Sequence, residues 1–236
     1  MKIFCCYTQA HEVLFRNYFK ATLPADFELH STLLDGSGAG DFLSAEFIQC
    51  IHRKVELVIG SLGDYSEEII VWSDIDVVFL RPVVEELEKA LLESGKDILF
   101  QREGSRVADV NSGFFVCRAT PRLIVFFERV RERLAVQQGR NEQFIINELL
   151  QGGDNLPWGY LPLTYYARTH GWPPSKNIAI YHANETPGRD GVGQKTRQFE
   201  ELFWVRKRGF PALVWSSLSK IPKRLKRLSH QARKSS

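Results

Sequence analysis

Two aspartates one residue apart, Asp74 and Asp76, interrupt the most apolar stretch of the chain, Glu68 to Leu80 (EIIVWSDIDVVFL). An ionised carboxylate taken out of water costs several kcal/mol unless a cation or hydrogen bonds compensate it. In a strand, residues i and i+2 point to the same face, so both carboxylates can reach one hard divalent cation at the strand's carboxyl end. The other reading is two acids at a strand end or turn, solvated or paired with Arg81. Three residues alone do not choose between the two.

The flanking stretches must position that pair. Met1 to Thr8 (MKIFCCYT) reads as a strand, with a helix from about His11 to Lys20. Phe27 to Leu34 reads as a second strand, stopping at Asp35-Gly36-Ser37-Gly38. After an N-cap at Ser44, the apolar positions Phe47, Ile48, Ile51, Val55, Val58, Ile59 and Leu62 recur at helical spacing. Glu68 to Leu80 is expected as one buried strand. Pro82 then opens a helix to about Glu93, Asp97 to Gln101 and Asn111 to Arg118 (NSGFFVCR) are strands, and Thr120-Pro121 opens a helix to about Val136. Asn141 to Leu150 is a further helix. Pro and Gly become frequent from Gly152 to Pro174, and Ile178 to Tyr181 is a last short strand. Strands alternating with helices indicate an α/β fold with a mostly parallel, doubly wound sheet. Thr8, ending the first strand, occupies the place where such folds bind nucleotides. Lys195 follows Gly188, Gly191 and Gly193, in a segment that either closes over phosphates or is a disordered linker.

Composition narrows the class. The 236 residues are 44% apolar and 25% charged, ordinary for a globular protein and unlike a collagen, a coiled coil or a disordered chain. Four cysteines (Cys5, Cys6, Cys50, Cys117) make no disulfide framework and no C-x-x-C pair, which favours a reducing, cytoplasmic setting. No apolar run approaches the about 18 residues of a membrane span, and neither a signal peptide nor a transmembrane helix is expected. The net charge of +3 conceals an asymmetry: all 28 acids lie in residues 1–201 with 21 Lys/Arg, a net of −7, while ten Lys/Arg and no acid follow Glu201. Residues 202–236 are therefore expected as a basic tail on an acidic body. In it Val214, Leu218, Ile221, Leu225 and Leu228 are spaced along one helical face, with Pro222 as a break. Such a tail suits the anionic face of a membrane, or is solvated, or packs on the body.

The string from Val71 to Pro82 (VWSDIDVVFLRP), preceded by a helix bearing Lys54, is followed in order by Asn111-Ser112-Gly113, Glu142-Gln143 and His182-Ala183-Asn184. Together these resemble the nucleotide-diphospho-sugar transferase family, over roughly Met1 to Gly193. The resemblance implies a GT-A-like sheet with helices on both faces over residues 1–201. It also implies metal-dependent transfer of a sugar from a nucleotide diphosphate, such as a UDP-sugar, to an acceptor hydroxyl with retention. Asp74 and Asp76 would hold Mn²⁺ or Mg²⁺ on the donor diphosphate, with His182 as the third ligand. Lys54 would reach the diphosphate, Asn111 and Ser112 would meet the sugar, and Glu142 and Gln143 would bind donor sugar hydroxyls or sit beside the anomeric carbon. Glu142 departs from the family's usual Asp by one methylene. If the basic tail docks on an anionic membrane, a glycan or lipid-linked acceptor would lie there.

Two other readings compete. The pattern of an apolar strand followed by D-x-D also fits a haloacid-dehalogenase-like phosphatase, with Asp74 as nucleophile and Asp76 as acid/base. That motif belongs on the first strand of its domain, and about 70 residues precede it here; Gly153-Asp154 also lacks the second Asp its later metal motif needs. A basic-tailed membrane or nucleic-acid adaptor leaves the buried acids unexplained, and the −7 body opposes nucleic acid.

Overall fold

The computed structural model describes residues 1–35, 45–137, 139–170, 177–186 and 188–209, with Pro211 and Val214. The glycine loop after Asp35, the Ser44 cap, and the tail positions Leu218, Ile221, Pro222, Leu225 and Leu228 lie outside the described residues.

In chain order the elements are β1 (Lys2–Thr8), α1 (residues 9–22, with a π-helical turn over Phe15–Phe19), β2 (Glu28–Leu34), α2 (Ala45–Asp64), β3 (Ile69–Ser73), β4 (Val77–Phe79) and α3 (Val84–Ser94). They continue with β5 (Ile98–Arg102), β6 (Val110–Arg118), α4 (Pro121–Val136), α5 (Glu142–Gln151), β7 (Trp158–Tyr160), β8 (Tyr165–Ala167), β9 (Ile180–His182) and α6 (Gly191–Arg208). Six strands form one sheet in the order β2-β1-β3-β6-β5-β7. Only β6 runs against its neighbours, pairing antiparallel with β3 and β5. A small sheet β4-β9-β8 stands beside it.

Alternation along the strands divides the core between the two faces. Val71, Phe114 and Val116 pack with Leu14, Phe19, Leu87 and Phe199 in one layer. Ile70, Trp72, Phe115 and Cys117 pack with Val55, Leu62, Phe126 and Ile145 in the other. Helices therefore cover both faces of a mostly parallel sheet, as the α/β reading expects. Ile51, Val55, Val58 and Leu62 of α2 are all buried at the helical spacing read in the sequence. Local capping agrees with composition as well: the Thr120 side chain accepts from Leu123 N–H with Pro121 in the first turn, and the Asn141 side chain accepts from Phe144 N–H.

Three regions differ from expectation. The stretch Glu68 to Leu80 is two strands in different sheets, β3 and β4, separated by a turn at residues 74–76. Asp74 N–H donates to the Gly113 carbonyl (2.6 Å) and Ser73 Oγ–H to the Asp74 carbonyl (2.9 Å), so the turn is tied to β6 at the point where the two aspartates leave the main sheet. The Pro- and Gly-rich stretch after α5 contains β7 and β8, of three residues each. Finally, the glycine-rich segment carrying Lys195 is neither a loop nor a linker but the start of α6. Asp190 takes a left-handed conformation (φ 63°) and its side chain accepts from Gly193 N–H (3.0 Å). A Cβ on residue 193 would collide with that carboxylate, so glycine there permits the cap. Helix α6 buries Phe199, Leu202 and Val205 and runs through Glu201, where the sequence reading ended the body.

Candidate active site

The carboxyl end of β3 delivers Asp74 and Asp76, and the end of β9 delivers His182 through antiparallel pairing of Val77 with His182. One ligand atom from each of the three lies within 4.8 Å of the others. Asp76 and His182 are buried, with His182 Nε2 3.3 Å from Asp76 Oδ1. Gly113 makes the convergence possible. A Cβ there would collide with His182 Cε1 and stand 2.9 Å from Asp74 Oδ2, so any side chain would displace both.

The pairing of β5 with β6 shifts register between Phe100 and Gln101: Phe100 faces Phe115 while Gln101 faces Asn111. Such a bulge re-aims side chains next to a site. Within it, Asn111 Oδ1 accepts from Gly113 N–H (2.8 Å) and Asn111 Nδ2 donates to Glu103 Oε2 (2.5 Å). Gln143, in the first turn of α5, accepts from Ser112 N–H (3.3 Å) and donates to the same Glu103 oxygen (3.2 Å). Glu142 accepts from Ser112 Oγ (3.0 Å) and pairs with Lys54 (2.9 Å), which also pairs with Asp74 Oδ1 (2.8 Å). Lys195, from the first turns of α6, reaches Asp76 Oδ2 (2.7 Å). Thr8 stands one step away: its hydroxyl bonds His11 Nδ1 (2.8 Å), and His11 lies within the electrostatic reach of Lys195 and Asp76.

Nine of the ten residues singled out in the sequence thus meet in one network, and Thr8 joins it through His11. Gln101, Glu103 and His11 belong to the same cluster and had no signal in the sequence. Neutral and acidic polar residues at strand ends are common, and only the fold brings these to the bulge.

The charges are arranged by opposition. Burial disfavours ionisation of Asp76, but Lys195 and His182 overcome it and hold the carboxyl well below the usual carboxylate range. Burial likewise opposes charge on Glu142, and Lys54 with the Ser112 hydroxyl brings it below its ordinary value. Burial pulls the Lys54 ammonium down, yet Asp74 and Glu142 raise it well above the usual lysine range. Burial first, then Lys195, lowers His11.

A protein-family model described as nucleotide-diphospho-sugar transferase matches residues 17–198. The chain belongs to that family.

This nucleotide-diphospho-sugar transferase is therefore a glycosyltransferase, and no curated protein matches it in sequence. Its fold is that of GT-A glycosyltransferases. A glycosyltransferase involved in glycosylation of the major capsid of PBCV-1 superposes with a TM-score of 0.59 at 10% identity, over 84% of this chain and 98% of that one. The galactosyltransferase LgtC, in complex with donor and acceptor sugar analogues, gives 0.52 at 13% identity over 86% and 96%. The apo-form glycosyltransferase GlyE of Streptococcus pneumoniae TIGR4 gives 0.56 at 9% identity over 85% of this chain, which spans only 63% of that protein. The phosphatase and adaptor readings are set aside by the family match.

The transferase's Asp74, Asp76 and His182 fit a divalent cation on the chemistry of the donors: two carboxylate oxygens and an imidazole nitrogen suit Mn²⁺ or Mg²⁺. The space cleared by Gly113 supports the same fit.

Proposed function

We propose that the protein transfers a sugar from a nucleotide diphosphate donor, a UDP-sugar, to an acceptor hydroxyl, with the diphosphate held on a divalent cation by Asp74, Asp76 and His182. The observation that carries this reading is the convergence of those three residues where β3 leaves the main sheet of a GT-A fold. When bound, Mn²⁺ or Mg²⁺ supplies Lewis-acid stabilisation of the charge on the leaving diphosphate. Lys195 adds a cation from the α6 side, exchanging Asp76 for a phosphate oxygen. Lys54 pairs with both Asp74 and Glu142; burial raises the Asp74 carboxyl above its ordinary value, Lys54 opposes that rise, and Lys54 holds Glu142 below its ordinary value. The amides of Asn111 and Gln143, both anchored on Glu103, face the donor sugar and orient its anomeric carbon; retention is adopted from the family resemblance. A thermal-shift screen of nucleotide-sugars with Mn²⁺ tests the donor assignment: UDP-sugars should raise Tm in the presence of Mn²⁺, and a panel without any stabilising member would contradict it.

We also propose that the acceptor is a glycan or lipid-linked glycan at the cytoplasmic face of a membrane, with the C-terminal region docked on anionic lipid. In support, α6 ends in Arg206, Lys207 and Arg208, exposes Phe203 and Trp204, and leads into the seven Lys/Arg between Lys220 and Lys234. Among the described residues no helix is long and apolar enough to cross a membrane. Deleting residues 214–236 should release the protein from phosphatidylserine vesicles at low salt while sparing donor hydrolysis, and undiminished co-sedimentation would contradict the docking.

A further inference from the structure

We propose that Gln101 is a positioning residue that fixes the tautomer of His182, leaving its Nε2 lone pair turned to the Asp76 side as a metal ligand. The proposal rests on the metal reading above. Gln101 ends the regular part of β5, where the register shift begins, and it is fully buried. Its Nε2 is 3.3 Å from the Tyr165 carbonyl and its Oε1 is 2.8 Å from His182 Nδ1.

The chemistry orders these contacts. A backbone carbonyl only accepts, so the amide NH₂ must face Tyr165. The position of that carbonyl is itself fixed, because β8 pairs in parallel with β9, Tyr165 opposite Ile180 and Ala167 opposite His182. The amide oxygen must then face His182, and an oxygen acceptor requires hydrogen on Nδ1. With Nδ1–H committed to Gln101, Nε2 is the ring nitrogen left to ligate a cation. The reversed amide would set two oxygens against each other at Tyr165, at a fully buried position.

Nε2 lies 3.3 Å from Asp76 Oδ1, and Asp74 completes the group. A cation held among these three groups would take the Nε2 lone pair. The Nε2–H tautomer would instead donate to Asp76 and block the ligand position. Gln101 therefore selects the form of His182 that binds metal, in the way that outer hydrogen bonds orient metal-ligating histidines elsewhere.

Two measurements on the full chain test this. Long-range ¹H–¹⁵N NMR of the metal-free protein, with the His182 signal assigned by its loss in His182→Asn, should show hydrogen on Nδ1. A His182 with Nδ1 bare and hydrogen on Nε2 alone would overturn the proposal, whether or not the Gln101 variants fold. EPR titration with Mn²⁺ alone should show Gln101→Leu binding about 10- to 100-fold more weakly than wild type. Equal affinity of wild type and Gln101→Leu would overturn the role of Gln101 and leave the metal reading intact. Nδ1–H wild-type protein that binds no Mn²⁺ would overturn the metal reading and the ligand role with it.

Discussion

Lys54 Nζ lies 2.9 Å from Glu142 Oε1, joining the middle of α2 to the first turn of α5 in a buried ion pair. The extra methylene of glutamate at this position thus serves contacts inside the protein, to Lys54 and to the Ser112 hydroxyl. Removing one partner of such a pair leaves an uncompensated buried charge, so Lys54→Met should destabilise the fold by about 3–5 kcal/mol.

The pH dependence of that loss has a definite sign. In the wild type, Glu142 sits below its ordinary value, so its contribution is present at neutral pH and is lost as pH falls through the lowered pKa. Without Lys54, burial is opposed only by the hydrogen bonds from the Ser112 hydroxyl and the backbone, and the pKa of Glu142 rises. Acidification should then narrow the stability gap between Lys54→Met and wild type. Urea unfolding between neutral and mildly acidic pH measures it, and a gap independent of pH would contradict the pairing.

Lys195 and a divalent cation compete for Asp76, since Lys195 Nζ already stands 2.7 Å from Oδ2. Lys195→Ala should bind Mn²⁺ more tightly than wild type in the absence of nucleotide, yet bind UDP in the presence of Mn²⁺ more weakly. Calorimetric titrations of each ligand check the opposed signs. Both affinities moving the same way would show that Lys195 does not exchange between carboxylate and phosphate.

Much of this arrangement was legible in the sequence, and the gaps have physical causes. Asp74 and Asp76 stood out because acids in an apolar run require compensation. The turn that carries them did not, because β3 and β4 are equally apolar and nothing marks the change of sheet. The three-residue strands β7 and β8 are too short for alternation to register among Pro and Gly. At α6, the glycines suggest a closing segment or a linker, whereas Gly193 admits the Asp190 cap. Lys54 was visible as a charged position on a helix, but its burial depends on Glu142 and Asp74, which come from other elements. Gln101 and Glu103 acquire meaning only through the register shift opposite Asn111.

Gly113→Ala tests the convergence itself. The added methyl would meet His182 Cε1 and Asp74 Oδ2. Overpacking of this kind should cost about 1–3 kcal/mol of stability. Mn²⁺ affinity should fall sharply because two ligands move at once. A variant that folds and binds Mn²⁺ as the wild type does would show that the ligands are not confined by this glycine.

Sugar transfer through a cation held by Asp74, Asp76 and His182 is the step on which the proposed function depends. Its most direct measurement is turnover of a UDP-sugar, followed as UDP release, for EDTA-treated wild-type protein, for the same protein with Mn²⁺ restored, and for Asp76→Asn. No turnover is expected after EDTA, full recovery with Mn²⁺, and none in Asp76→Asn whether or not Mn²⁺ is added, with its fold verified by a cooperative melt. Undiminished turnover after EDTA treatment, or in Asp76→Asn, would contradict it.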